Sequence, residues 1–267
     1  MSKRSKRDTQ GARSKFPRPD KLATLHIDTD NERFVFTTKD MIQNQLRRDG
    51  PKIRRSFDLV AKDDIAASSA VFGLAAGLCV RHLPRLDDNG YKATVSRLLS
   101  SAMSTYLASI EVARHGYRRQ YGMLARSLIE TIATVIAIAI RPTALEQFHA
   151  GTLQSTKCVG WAKEVLEPLG MYYGMLSNQF VHIGPVHAAF EPIRRYTPDD
   201  EALSFIVSSM RGNVWMLFLT AELVFHDEIG NCRYWKPMGE GVAFDPSPEE
   251  RLWMASFLIT PDERASA

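Results

Sequence analysis

The chain has 267 residues, is 45% hydrophobic and carries a net charge of +4, which fits one large soluble domain with appendages. The charge is uneven: residues 1–55 hold 15 Lys/Arg against 7 Asp/Glu, and the remainder 19 against 23, so the body is mildly acidic. Cys79, Cys158 and Cys232 are far apart and form no Cys-x-x-Cys pair. That spacing argues against a disulfide framework and a zinc site, and a reducing cytoplasm is expected.

Residues 1–22 are polar and basic, with Gly, Pro and Ser. Such a segment cannot bury a core and is expected to be a disordered arm. Lys3, Arg4, Lys6 and Arg7 give it the character of a phosphate-seeking tail for RNA, the alternative being a solubilising tail. No apolar run follows M-S-K-R-S-K-R, so no signal peptide is expected.

Next, L-H-I-D-T-D-N-E-R-F-V-F places β-favouring residues on both sides of Asp30-Asn31 and predicts a small hairpin. Thr38 is expected to cap a short helix over 39–48, closed by Gly50-Pro51. A helix over 56–83 should stop at Pro84, and D-D-N-G (87–90) should turn the chain. The spacing of Val95, Leu99, Ala102, Met103, Tyr106 and Ile110 predicts an amphipathic helix over 91–115. A third long helix, 118–140, is apolar round most of its circumference, as in the centre of a bundle. Helices over 152–166 and 171–183 come next.

Thr197-Pro198-Asp199-Asp200 reads as a capping hydroxyl, a Pro at the first helical position and acids in the first turn, opening a helix to about Phe225. Ser247-Pro248-Glu249-Glu250 opens a last helix by the same chemistry. The longest apolar runs, such as Thr131–Ile140 and Val214–Phe225, fall short of the roughly 20 residues of a spanning helix. They read as core helices, and no membrane partner is expected.

The expected fold is therefore mainly all-α. It has five to six core helices and a small N-terminal hairpin and helix extension. The expected boundaries are a basic arm (1–22), the extension (23–55), the bundle (56–229) and a C-terminal loop and helix (230–267).

Two helices carry polar residues where apolar ones belong. Arg126 and Glu130 lie four apart on the third long helix, in a narrow stripe with Gly122, Ala133 and Ala137. Asn178 and His182 are also four apart, and Gly174 continues their face. The two stripes are expected to meet. Glu130 would then orient the His182 imidazole and Arg126 would hold a phosphate, a set fit for phosphodiester chemistry. The alternative is a buried polar network that fixes helix register and does no chemistry.

His182 and His187 are five apart around Gly184-Pro185, which is not the spacing of helical zinc ligands, and no metal is expected. Neither a P-loop, a G-x-G-x-x-G nor a G-x-S-x-G is present, so no nucleotide cofactor is expected either.

A-R-S-L-I-E-T on a central helix, with Y-x-x-L-S-N-x-x-V-H at a later helix end, resembles an uncharacterised bacterial family of helical proteins related to the HEPN superfamily. The resemblance covers roughly Ala61 to Phe225. It implies a HEPN-like helical bundle, often a homodimer. For active HEPN proteins it implies metal-independent RNA cleavage in toxin, phage-defence or stress systems, through an R-N-x-x-x-H motif. Here Asn178 and His182 match, while Ser177 stands at the place of the Arg. Arg126 is the candidate to supply that guanidinium. The expected catalytic set is thus His182, Arg126, Glu130 and Asn178. The alternative is a non-catalytic interaction or regulatory protein that keeps the fold.

Overall fold

The computed structural model describes residues 17–81, 89–188, 191–239 and 241–258. The basic residues Lys3, Arg4, Lys6 and Arg7, the expected stop at Pro84 and the acids of the 87–90 turn lie outside them. The chain forms two compact units, Met1–Pro51 and Lys52–Ala267.

In the first unit, β1 (Leu22–Asp28) and β2 (Arg33–Thr38) form the expected antiparallel hairpin. Asp28 closes its turn by accepting from the Asn31 backbone N–H at 3.2 Å and from Arg33 Nε at 2.7 Å. Those bonds, Arg33's first, hold the Asp28 carboxyl below its usual range. A short α1 (Met41–Asn44) comes next, continued by a π-turn over Gln45–Asp49. Gly50-Pro51 does not stop the chain there. Both residues open α2 (Gly50–Val60), because a first-turn proline loses no hydrogen bond.

The second unit is mainly helical. Ala61 separates α2 from α3 (Lys62–Val80), where one uninterrupted helix was expected. Then come α4 (Tyr91–Arg114), α5 (Arg118–Ile140), α6 (Ala144–His149), α7 (Ser155–Val165) and α8 (Glu167–Leu176). The long α9 (Glu201–Val224) precedes a hairpin of β3 (Trp235–Met238) and β4 (Gly241–Phe244), and α10 (Pro248–Leu258) ends the described chain. Helix α5 is central, packing against α4, α7 and α9. Leu128, Ile129, Ile132, Val135 and Ile136 of α5 are buried, as its apolar circumference requires. Tyr234, Trp235 and Phe257 join the same core, so the C-terminal segment belongs to this unit.

Helix starts obey the expected chemistry with two displacements: α1 starts after Asp40 rather than Thr38 and has no side-chain cap, and the cap of α9 also moves. Ser247 Oγ accepts from the Glu250 backbone N–H at 3.2 Å, capping α10. On α9 the cap is Asp200 rather than Thr197: its Oδ1 accepts from the Ala202 N–H at 3.2 Å, and Pro198-Asp199 form a turn before the helix. Ser247→Ala is expected to cost about 0.5–2 kcal/mol, read from a urea unfolding curve.

Several buried polar groups tie the helices together. Glu222, 1% exposed, accepts the backbone N–H groups of Arg233 at 2.6 Å and Tyr234 at 2.7 Å, clamping the approach to β3 onto α9. Arg211 on α9 pairs with Asp64 on α3 at 2.6 Å. Tyr121 donates to Ser209 Oγ at 2.9 Å, and Tyr172 meets the same hydroxyl. Burial pushes the Tyr91 and Tyr172 phenols up to about 12, and the Tyr106, Tyr121, Tyr196 and Tyr234 phenols are raised as well.

These phenols titrate near 10 once unfolded, so the native state holds protons that the unfolded state releases. Their contribution is fully present below about pH 10 and is lost as pH rises through the folded values. Stability is therefore expected to fall between about pH 10 and 12, with most tyrosine absorbance change at 295 nm arriving together with unfolding.

By length and composition α3, α5 and α9 could each cross a membrane. Within the fold, 72% of the apolar window of α9 and 50% of that of α5 are buried, against 22% for α3, so α3 is the apolar helix most open to its surroundings.

Candidate functional site

Arg126 and Glu130 sit one turn apart on α5 and pair on two edges: Nη1 to Oε2 and Nη2 to Oε1, each at 3.2 Å. The rest of the guanidinium faces α8 and the turn after it. Nη2 donates to the Tyr173 phenol at 2.6 Å, and Nε donates to Ser177 Oγ at 2.9 Å. Tyr173 donates onward to Glu130 Oε1 at 3.0 Å, Ser177 to the Tyr173 carbonyl at 2.9 Å, and Ser155, at the start of α7, to Glu130 Oε1 at 3.4 Å. The guanidinium also stacks over the Tyr173 ring, 4.9 Å from its centroid. The Arg126 and Glu130 side chains are 21% and 23% exposed, so the cluster is mostly withdrawn from solvent.

Burial, and then the bond to Glu130, raise the Tyr173 phenol above its usual range. It stays a neutral donor at physiological pH. Each member thus supplies what its neighbour lacks: a cation against a carboxylate, and two hydroxyls that both give and accept. Such closure is what a partly buried charge pair requires. Tyr173→Phe is expected to destabilise by about 0.5–1.5 kcal/mol, the net worth of a protein hydrogen bond, measurable by chemical denaturation.

The two polar stripes meet one residue out of phase with expectation. The face of α8 and its succeeding turn that docks on α5 is Tyr173, Ser177 and Phe180, at helical spacing. Phe180 presses on Gly122, where an added Cβ would lie 2.2–2.6 Å from its ring. The small residue of the α5 stripe thus admits a ring. Asn178 and His182 are exposed, and neither makes a hydrogen bond or ion pair with Arg126 or Glu130. Nothing lies within 4 Å of a Cβ added at Gly174, on the same outward face.

After α8 the chain enters a π-turn, Ser177–Val181, in which the His182 N–H reaches back five residues to the Ser177 carbonyl at 2.9 Å. His182 itself is extended (φ −75°, ψ 121°) and carries the chain out of the helix. π-Turns of this kind recur at functional sites. His187 does not converge with His182; its Nδ1 accepts from the Gly184 N–H at 3.3 Å. Among the described residues no three His, Cys, Asp or Glu side chains are grouped to hold a metal.

Sequence reasoning missed Tyr173 and Ser155 as members of the cluster. The Tyr173 signal was present, four residues before Ser177 in Y-x-x-L-S-N. Ser155 had none, since its placement depends on the packing of α7 against α5.

Comparison of the chain with protein-family models, with curated proteins and with solved structures finds no match.

Proposed function

We propose that this chain is a non-catalytic HEPN-like helical protein, an interaction or regulatory member of a stress or defence system. The observation that carries this reading is the commitment of Arg126 within its own cluster. Its charge is met on two edges by Glu130, and two further donors serve Tyr173 and Ser177. A phosphodiester would have to displace Glu130 from that fork, against a bidentate pair. The exposed His182 is not oriented by a carboxylate from α5, so the acid–base partner that phosphodiester cleavage needs is not positioned. In this reading the protein is a cytoplasmic homodimer, and RNA is the partner of the basic arm, Lys3, Arg4, Lys6 and Arg7. That affinity should fall steeply with added salt. Incubation of the purified protein with total RNA in EDTA tests the reading, and intact RNA is the expected result.

One observation favours the second reading, a metal-independent ribonuclease. Arg126 Nε lies 2.9 Å from Ser177 Oγ, so a guanidinium lies beside the residue that stands where the resembled motif carries its Arg. If cleavage occurs, this second reading holds, and undiminished cleavage by Arg126→Ala would remove Arg126 from the mechanism.

A further inference from the structure

The open side of α3 borders a groove of about 510 Å³ between α3 and α4, lined also by Asp58 of α2 and Met210 of α9. Its walls are apolar: Ile65, Phe72, Leu107 and Ile110. Over Gly73 there is empty space, with no atom within 4 Å of an added Cβ. From Ile65 to Val80 the helix carries no charged residue. Such a surface is usual for a covered helix and unusual for one left to water.

Asp58, Lys62, Ser68, Ser69, Arg114 and the Tyr106 phenol break this apolar lining. Ser68 is 3% exposed and lies beside the Tyr106 phenol, yet its hydroxyl completes no hydrogen bond of ordinary geometry. The phenol instead donates to the Met210 carbonyl at 3.2 Å. A buried hydroxyl without a partner is a rare and costly feature. At the mouth, Arg114 is committed to Asp58 through two bonds of 2.7 Å and to Glu111 as well. Lys62, also at the mouth, is exposed and has no carboxylate partner among the described residues. The groove thus offers an unspent cation, an unspent O–H donor and an apolar trough.

We propose that this groove is a binding site for an amphipathic carboxylate, its head group facing Lys62 and its alkyl or aryl body lying along Phe72, Gly73, Leu107 and Ile110. The volume suits a small ligand, and the few polar groups set in apolar walls are the usual composition of such sites. The site shares no residue with the Arg126 cluster, so it stands or falls apart from the function proposed above.

Isothermal titration of the full chain with decanoate, and with the uncharged decanol as a control, tests the proposal. Decanoate is expected to bind at one site per chain with a Kd below about 1 mM. Gly73→Leu, which places its side chain in open space and improves helix propensity, is expected to weaken binding of both probes by tenfold or more, about 1.4 kcal/mol, with a thermal melt no lower than that of the wild type. Lys62→Glu is expected to weaken decanoate and leave decanol as it was. Absence of decanoate binding, or equal binding by wild type and Gly73→Leu, overturns the proposal.

Discussion

Arg118→Ala is expected to destabilise the helical unit by about 3–5 kcal/mol, more than the loss of a helix cap or of a single neutral hydrogen bond would bring. Arg118 opens α5 and Asp200 caps α9; their side chains, 4% and 3% exposed, meet at 2.7 Å. The guanidinium also lies 4.4 Å from the centre of the Tyr196 ring. Removing it leaves a buried carboxylate, and the cation still paired with it among the described residues, Arg194 at 3.7 Å, is itself 64% exposed. Asp200 would keep its cap on Ala202 but lose the charge that makes its burial tolerable. The cost should therefore shrink in Arg118→Met/Asp200→Asn, which removes both charges and keeps a capping side chain. Guanidinium unfolding of the two variants checks this. A double variant as unstable as Arg118→Ala would show that the ion pair is not the reason.

Gly122→Val is the second large effect. The Phe180 ring fills the space where a Cβ would stand, and its other face is stacked on Phe205 with centroids 5.3 Å apart. The ring cannot retreat without pushing Phe205 off α9. Overpacking of this kind costs about 1–3 kcal/mol and more where neighbours cannot yield. The π-turn that carries His182 is anchored by this contact, so the substitution should also free the 177–187 segment, read as faster amide exchange there. Phe180→Ala is expected to rescue part of the loss. A double-mutant cycle without coupling would contradict the contact.

Much of this arrangement was legible in the chain, and the parts that were not have identifiable physical causes. The hairpin around Asp30-Asn31, the amphipathic α4, the apolar α5 and the Ser247 cap obey local rules, and each formed as expected. Gly50-Pro51 is chemically suited both to a helix stop and to a first turn, and the helical run of Lys52–Val60 makes it a first turn. The cap of α9 moved from Thr197 to Asp200 because Arg118, 82 residues earlier in the chain, holds that carboxylate in place. The short strands β3 and β4 gave no alternating pattern, and Pro237 argued against one.

At the candidate site, the pairing of Arg126 with Glu130 was readable from their spacing. The rotation of α8 was not. One residue of rotation on a helix is about 100°, enough to replace Asn178 by Ser177 at the contact. The polar face Asn178–His182 and the docking face Tyr173–Ser177–Phe180 are both periodic, so pattern alone could not choose between them. The ring that fits over Gly122 settles the choice.

The measurement closest to the central claim is cleavage of total RNA in EDTA by the wild-type chain and by His182→Ala, with thermal melts of both. Intact RNA is expected in each case. The stability of His182→Ala is expected to lie within about 0.5 kcal/mol of wild type, as for an exposed side chain outside the Arg126 cluster. RNA cut by the wild type and spared by His182→Ala would contradict the non-catalytic reading and would make the π-turn that leads into His182 part of a catalytic site.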